Sequence, residues 1–237
     1  MEGYDEKLIS SFKIVSEYSD RVEKRRGRLV STDNTDIQNA PARLQHYGNP
    51  SGDFYEERHL EEWIAREPLS IFGDRKVLIV ASQAYVYLQE KIDLLFVDQN
   101  CQFHIVELKI EPIGRHKLES QKLYGQMRRY VEYVKSQKIK YFNACYRRFA
   151  KRFYGRECEL SEQLHTFLGR AVDGEARINP EVYVVYVGES FDEFAVTYLL
   201  RRAHEDKAKA RLIYYKFYPQ QQCIQFWEIS HKPVQTA

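Results

Sequence analysis

The sequence predicts an α/β protein with a mixed β-sheet flanked by helices. Three apolar segments follow one another between residues 76 and 110, with a helical pattern before them and a longer helical pattern after them. Strand and helix patterns alternate again toward the C-terminus, as expected when helices cover the faces of a sheet. The 237 residues are 43% hydrophobic and 30% charged, a balance typical of one ordinary globular domain.

The N-terminal part of the chain has a different character from the rest. Its pattern predicts a short helix from about Glu6 to Tyr18, followed by a basic stretch and then a polar loop over residues 31–53. Asn, Asp, Pro and Gly mark that loop. We therefore expect residues 1–53 to form an extension and residues 54–237 to form the main domain.

The main domain is predicted to open with a helix and three strands. The helix covers residues 54–67, because Leu60, Trp63 and Ile64 have the i, i+3, i+4 spacing of a buried stripe and Pro68 ends it. The next segments are rich in Val, Ile, Leu, Phe and Tyr, which favours strands. These strands are predicted at residues 76–81, 85–98 with a break before Ile92, and 103–110.

A long amphipathic helix is predicted over residues 117–135, and a basic helical insertion over about residues 136–180. The C-terminal part then returns to sheet-forming patterns. It predicts a strand at 181–187, a helix at 191–205, and a pair of strands at 211–218 and 223–229 that is broken at Pro219.

Composition excludes several classes of protein. No apolar run reaches the roughly 18 to 20 residues that cross a membrane, and the N-terminus lacks the pattern of a secretory signal, so we expect a soluble, cytoplasmic protein. The four cysteines form no CxxC pair, which argues against a disulfide framework or zinc knuckle. A metal site of Cys145, Cys158 and His165 is supported only by residue type.

Three charged residues interrupt the apolar strands. Glu107 and Lys109 are two apart on one strand, so their side chains point to the same face. Asp93 on the preceding strand has the same parity as Glu107, and an odd-numbered loop centred on Asn100 would place the two opposite each other. Asn100 tolerates left-handed backbone geometry. The sequence therefore predicts that Asp93, Glu107 and Lys109 share one site.

These residue types suit a divalent-metal site. Two carboxylates bind Mg²⁺ or Mn²⁺ together with waters and a phosphate oxygen, and a lysine stabilises charge that develops on that phosphate. The alternative is a buried network of ion pairs that catalyses nothing. The polar positions recur in two adjacent apolar strands between an acidic and a Gln/Tyr-bearing helix, which favours the catalytic interpretation.

The chain resembles the PD-(D/E)XK nuclease superfamily over about residues 55–135. The resemblance lies in the segments ERHLEEWIAREP, IDLLFVDQNCQFHIVELK and GQMRRYVEYV. Within the superfamily, these segments are most similar to the nuclease domain of EndoMS/NucS-type endonucleases. The resemblance implies a restriction-endonuclease-like core, consistent with the mixed sheet predicted above.

The resemblance also assigns roles to residues. It implies that Asp93 and Glu107 are metal ligands and that Lys109 is the catalytic lysine. Gln126 and Tyr130 match the family's Q-x-x-R-Y helix, with the glutamine facing the active site. The family's helix glutamate matches either Glu57 or Glu61. The E-x-x-L pattern favours Glu57, and Glu61 matches almost as well. A solvated acidic face is the alternative for both glutamates, and a surface position is the alternative for Gln126.

The basic insertion is the expected contact with nucleic acid. Residues 135–156 contain many cations, several aromatics and no acid. On one helix, Arg148, Arg152 and Arg156 would form a stripe with Lys151 beside it, suited to a phosphate backbone. An equally weighted alternative is that these cations form a solvated helix face and bind nothing. The residues expected to contact nucleic acid are Arg147, Arg148, Lys151, Arg152, Arg156 and Tyr130.

The sequence thus predicts a Mg²⁺- or Mn²⁺-dependent nuclease acting most readily on DNA, within a homodimer or a larger defence or repair assembly. One alternative is a catalytically inactive nucleic-acid-binding or scaffolding protein on the same fold. RNA is a further candidate substrate, because the site motif recognises a phosphodiester and not the sugar.

Overall fold

The computed structural model describes residues 4–17, 26–32, 57–86, 90–120, 123–169, 181–206 and 208–231. Its strands are β1 Tyr4–Glu17, β2 Arg26–Ser31, β3 Val77–Tyr85, β4 Lys91–Asp98, β5 Phe103–Lys109, β6 Val182–Gly188, β7 Lys209–Tyr218 and β8 Cys223–His231. Its helices are α1 Glu57–Arg66, α2 Leu69–Phe72, α3 Arg115–Ser120, α4 Leu123–Ser136, α5 Ile139–Tyr154, α6 Leu160–Leu168 and α7 Glu193–Glu205.

The described strands form one mixed sheet in the order β2-β1-β8-β7-β6-β5-β4-β3. Strands β5, β6 and β7 run parallel to one another, while the remaining neighbours pair antiparallel. The parallel strands lie in the middle of the sheet, where both faces are covered, and their residues are accordingly apolar at both parities. The predicted fold class, a mixed sheet flanked by helices, is confirmed.

Helices cover the two faces of the central strands. Phe103 of β5 stacks on Phe142 of α5, with ring centroids 4.5 Å apart. The neighbouring residue His104 points to the other face, where its ring lies 5.2 Å from Phe72 of α2. Since side chains alternate along a strand, Glu107 lies on the same face as Phe103. The predicted site is therefore on the face that carries α5.

The predicted central elements are confirmed. Leu60, Trp63 and Ile64 of α1 are buried. The helix predicted over residues 117–135 is present as α3 and α4, with residues 121–122 outside the described part. Strand β3 extends to Tyr85, which the sequence assigned to the following strand. The apolar stripe of α4 is buried throughout, at Leu123, Met127, Tyr130, Val131 and Val134.

The helix predicted at Glu6–Tyr18 is wrong, because this segment is strand β1. Phe12 and Ile14 are buried on either side of the exposed Lys13, which is the two-residue period of a strand. Strand β1 pairs over Tyr4–Lys13 with β8, more than 200 residues away, and over Phe12–Glu17 with β2. The polar loop at 33–53 lies outside the described residues, and the division of the chain at residue 53 stays a prediction.

Two further features bear on the protein's class. In the described part of the chain, no helix is both long and apolar enough to cross a membrane. All four cysteines are free thiols.

Candidate functional site

The turn between β4 and β5 sets the register of the candidate site. Asp98 and Gln102 close the turn through the hydrogen bond from the Asp98 N–H to the Gln102 carbonyl, 3.0 Å, leaving three residues between them. The ladder runs from Val97 opposite Phe103 to Leu94 opposite Val106. One step further, this register places Asp93 opposite Glu107. The predicted centre at Asn100 is confirmed, but the residue in left-handed conformation is Cys101, with φ 60°.

Asp93 lies where the backbone pairing of β4 and β5 ends. Its Oδ2 accepts a hydrogen bond from the Leu108 N–H at 2.9 Å. Its Oδ1 accepts a second one from the Gln83 amide at 3.3 Å. The Asp93 side chain thus takes the place of the next backbone hydrogen bond between β4 and β5, and it lies next to Glu107.

Glu107 and Lys109 form an ion pair at the end of β5. The Lys109 Nζ lies 2.8 Å from the Glu107 Oε1, and only 3% of the glutamate side chain is exposed against 18% of the lysine. A buried carboxylate in an apolar strand is costly unless it is compensated. The pair therefore presents one buried acid and one cation that reaches toward solvent.

Helix α1 brings a third carboxylate to the site. Glu61 is buried and accepts hydrogen bonds from the Ser82 hydroxyl and, at 2.7 Å, from the Gln83 amide. Burial raises the pKa of Glu61, while these two hydrogen bonds oppose the rise. Glu57 is the first residue of α1, and its side chain lies outside the described part. Glu61 is the glutamate that the structure connects to Asp93, through Gln83.

Gln126 and Tyr130 lie one turn apart on α4 and bond to each other. The Gln126 amide donates to the Tyr130 hydroxyl at 2.6 Å, and that hydroxyl donates to the Lys91 carbonyl at 2.9 Å. Burial raises the pKa of Tyr130 to about 12, and the negative charges of Glu107 and Asp93 contribute to the rise. Tyr130 is thus a buried neighbour of both carboxylates. This position suits holding α4 against β4 better than the nucleic-acid contact expected for it.

Two cations of α5 lie next to the site. Arg148 and Arg152 line a cavity of about 100 Å³ together with Ser82 and Gln83. Arg152 also pairs with Glu62 of α1, at 3.1 Å. Helix α5 thus places these two arginines beside the residues that bond Glu61. Their expected contact with nucleic acid stays a prediction.

The other predicted cations have different surroundings. Arg147 pairs with Glu159 at 2.9 Å, and Lys151 pairs with Glu157 at 2.9 Å. Helix α5 ends at Tyr154, because Gly155 adopts a left-handed conformation with φ 69°. Arg156 lies past this end, so the helical stripe of three arginines is wrong at its third member.

Sequence reasoning missed Ser82 and Gln83. Both lie on β3, and both donate hydrogen bonds to the Glu61 carboxylate of α1. The signal was a pair of polar residues inside the apolar run VLIVASQAY. Their role depends on contact with α1, and no pattern in the β3 sequence predicts that contact.

The donor set fits Mg²⁺ or Mn²⁺. Carboxylate oxygens are hard ligands, and Mg²⁺ is usually bound by one or two carboxylates together with waters and substrate phosphate. Asp93 and Glu107 supply two such groups from adjacent strands. Among the described residues, no three His, Cys, Asp or Glu side chains are grouped closely enough to hold an ion alone. The fit is therefore to a two-carboxylate site completed by water and phosphate.

Comparisons with known proteins give two similar solved structures. One is an EndoMS complex with double-stranded DNA, 15% identical, with a TM-score of 0.36 over 66% of this chain and 44% of that chain. The other is a repair endonuclease from Pyrococcus abyssi, 13% identical, with a TM-score of 0.36 over 89% of this chain and 88% of that chain. The chain thus spans less than half the length of the EndoMS chain. No protein-family model and no curated protein matches it.

Proposed function

We propose that this protein is a metal-dependent nuclease that hydrolyses phosphodiester bonds in DNA. The observation that carries the proposal is the convergence of Asp93, Glu61 and the Glu107–Lys109 ion pair where β4 begins and β5 ends. Such a buried group of carboxylates with one lysine is costly to maintain as packing alone. The resemblance to EndoMS-type nucleases favours DNA over RNA.

Each residue has a defined task in this proposal. Asp93 and Glu107 would hold Mg²⁺ or Mn²⁺, which when bound lowers the pKa of a water and neutralises charge on the phosphate. Lys109, partly exposed beside Glu107, donates to a phosphoryl oxygen or orients the attacking water. Leu108 and Gln83 fix the Asp93 carboxylate through hydrogen bonds. Tyr130 and Gln126 hold α4 against the start of β4.

A cleavage assay tests the proposal. Supercoiled and single-stranded DNA are incubated with the protein and Mg²⁺ or Mn²⁺, with EDTA as the metal-free arm and an RNA of the same sequence beside them. We expect cleavage of DNA that EDTA abolishes and that Asp93→Ala reduces at least about 100-fold. Asp74→Ala, at an exposed turn, is the matched control and should cleave normally.

The same assay separates the alternatives. A protein that binds DNA without cutting it at any metal concentration would be the inactive scaffold on this fold. Cleavage of the RNA but not of the DNA would make RNA the substrate. Cleavage that Asp93→Ala leaves intact would place the chemistry elsewhere in the chain.

We further propose that Arg148 and Arg152 guide the DNA backbone to the site, because both line the cavity beside Gln83. Each phosphate contact contributes about 0.9 to the slope of log affinity against log salt for duplex DNA, so removing both arginines should lower the slope by up to about 1.8. Arg147→Ala with Lys151→Ala is the control, since neither of these cations lines that cavity. Equal slopes for the two double variants would contradict this path.

A further inference from the structure

Gln83 has a backbone conformation that is unusual within a strand. Its φ is 55°, in the left-handed region, whereas the other described non-glycine residues with positive φ, Cys101 and Gln222, lie in turns. Left-handed geometry is unfavourable for a residue with a side chain, and it persists where the surroundings enforce it. Because Gln83 lies beside a group of carboxylates, the contacts of its side chain are expected to explain this backbone conformation.

The Gln83 side chain joins two carboxylates from different elements. Its amide nitrogen donates to the Glu61 Oε2 at 2.7 Å and to the Asp93 Oδ1 at 3.3 Å. Ser82 and Ala84 pair with Leu94 and Ile92, so the register places Gln83 opposite Asp93. One nitrogen atom therefore sets the separation of the α1 carboxylate and the β4 carboxylate.

The choice of an amide for this position is informative. A lysine or arginine would neutralise the two acids and make a closed ion-pair network. A glutamine joins them without adding charge. The terminal torsion of glutamine is soft, and a half-turn exchanges the amide donor for its carbonyl oxygen, a hard ligand of the kind that Mg²⁺ takes.

We propose that Gln83 is a positioning residue that preforms the Glu61–Asp93 pair and turns its amide to present Oε1 when a divalent cation binds there. The inference rests on the proposed function only in that it needs a cation at Asp93. It adds Gln83 to the residues that face this cation, while Glu61 contacts the Gln83 side chain from α1. Neither residue of the pair needs to move far, because the amide already contacts both.

Cation binding to the full chain tests the inference without reference to cleavage. Mn²⁺ affinity is measured by calorimetry for the wild type and for Gln83→Leu and Gln83→Gly. We expect both variants to bind Mn²⁺ about 10 to 100-fold more weakly, the usual loss when a residue that orients metal ligands is removed. Gln102→Leu is the matched control, because the Gln102 amide bonds Glu181 instead, and its affinity should equal that of the wild type.

Two features keep the test decisive. Gln83→Gly tolerates the left-handed backbone, so a loss of affinity in this variant comes from the missing amide and not from strain. In the wild type, the side-chain amide signals of Gln83, identified by their absence from Gln83→Leu, should shift on titration with Mg²⁺. If these signals do not shift while the cation binds, the amide does not turn and this part of the proposal is wrong.

The outcomes also separate this inference from the proposed function. If the wild type binds Mn²⁺ and Gln83→Gly binds it equally well, the positioning role is overturned and the nuclease proposal stands. If the wild type binds no divalent cation, both the metal site and the inference are overturned.

Discussion

Strand β5 carries two buried polar clusters, one at each end, whose charges are compensated in different ways. At its start, His104 is fully buried, with its Nε2 3.1 Å from the Asp98 Oδ2. The imidazole stacks on Tyr183 at 4.7 Å and meets the edge of Phe72 at 5.2 Å. We name this the His104 cluster and include in it Arg211, which lies over Phe72 and is itself bonded twice to Glu228.

The cluster at the end of β5 is built differently. We name it the Glu107 cluster: Glu107, Lys109, Asp93 and Glu61. Its acids come from β5, β4 and α1, and several of their described contacts are neutral groups, namely a backbone N–H, a serine hydroxyl and a glutamine amide.

In the His104 cluster, opposite charges pair and aromatic rings fill the space between them, so the polar groups serve packing. In the Glu107 cluster, Asp93 and Glu61 share one neutral partner, the Gln83 amide, while Glu107 pairs with Lys109. The two clusters on this strand therefore differ in how their buried charges are compensated.

The largest expected effect distinguishes the clusters by activity. Glu107→Gln keeps the shape of the side chain and removes a proposed metal ligand, so cleavage by the folded protein should fall about 100-fold or more. His104→Gln should lower the unfolding midpoint and leave cleavage by the folded protein unchanged. Cleavage rates and urea unfolding curves measure both. A drop in cleavage for His104→Gln of the same size would erase the distinction.

The second prediction concerns stability. Arg211→Met removes the buried member of an ion pair and leaves Glu228, whose side chain is 27% exposed, so the free energy of unfolding should fall by about 2 kcal/mol. Arg201→Met is the matched control, because its pair with Glu205 is exposed on α7 and should contribute at most about 0.5 kcal/mol. Urea unfolding measures both variants. Equal losses would show that the His104 cluster does not depend on this pair.

The smallest expected effect is a pH dependence. Burial holds the pKa of His104 below its usual value of 6.5, although Asp98 opposes the shift. The unfolded chain therefore takes up a proton first as the pH falls. Stability is complete above about pH 6.5 and is lost as the pH falls toward the lower pKa of the folded state. The decrease in unfolding free energy from pH 7.5 to 5.5 should be smaller in His104→Gln than in the wild type. An identical decrease would mean that His104 does not titrate in this range.

The sequence by itself determined the features that depend on short-range periodicity. The stripe of Leu60, Trp63 and Ile64 follows from the helical repeat, and the placement of Asp93 opposite Glu107 follows from strand parity and a three-residue turn. These features need no knowledge of distant neighbours, because each is fixed within one element or one hairpin.

The tertiary structure decided what depends on partners far apart in the chain. The first part of strand β1, from Tyr4 to Lys13, pairs with the distant strand β8, although its own residues predict a helix. Glu61 is connected to Asp93 because the packing of α1 brings it to Gln83, a contact that no spacing within α1 can indicate. The reason is physical: local periodicity fixes which face a side chain occupies, while the long-range packing of elements fixes what that face meets.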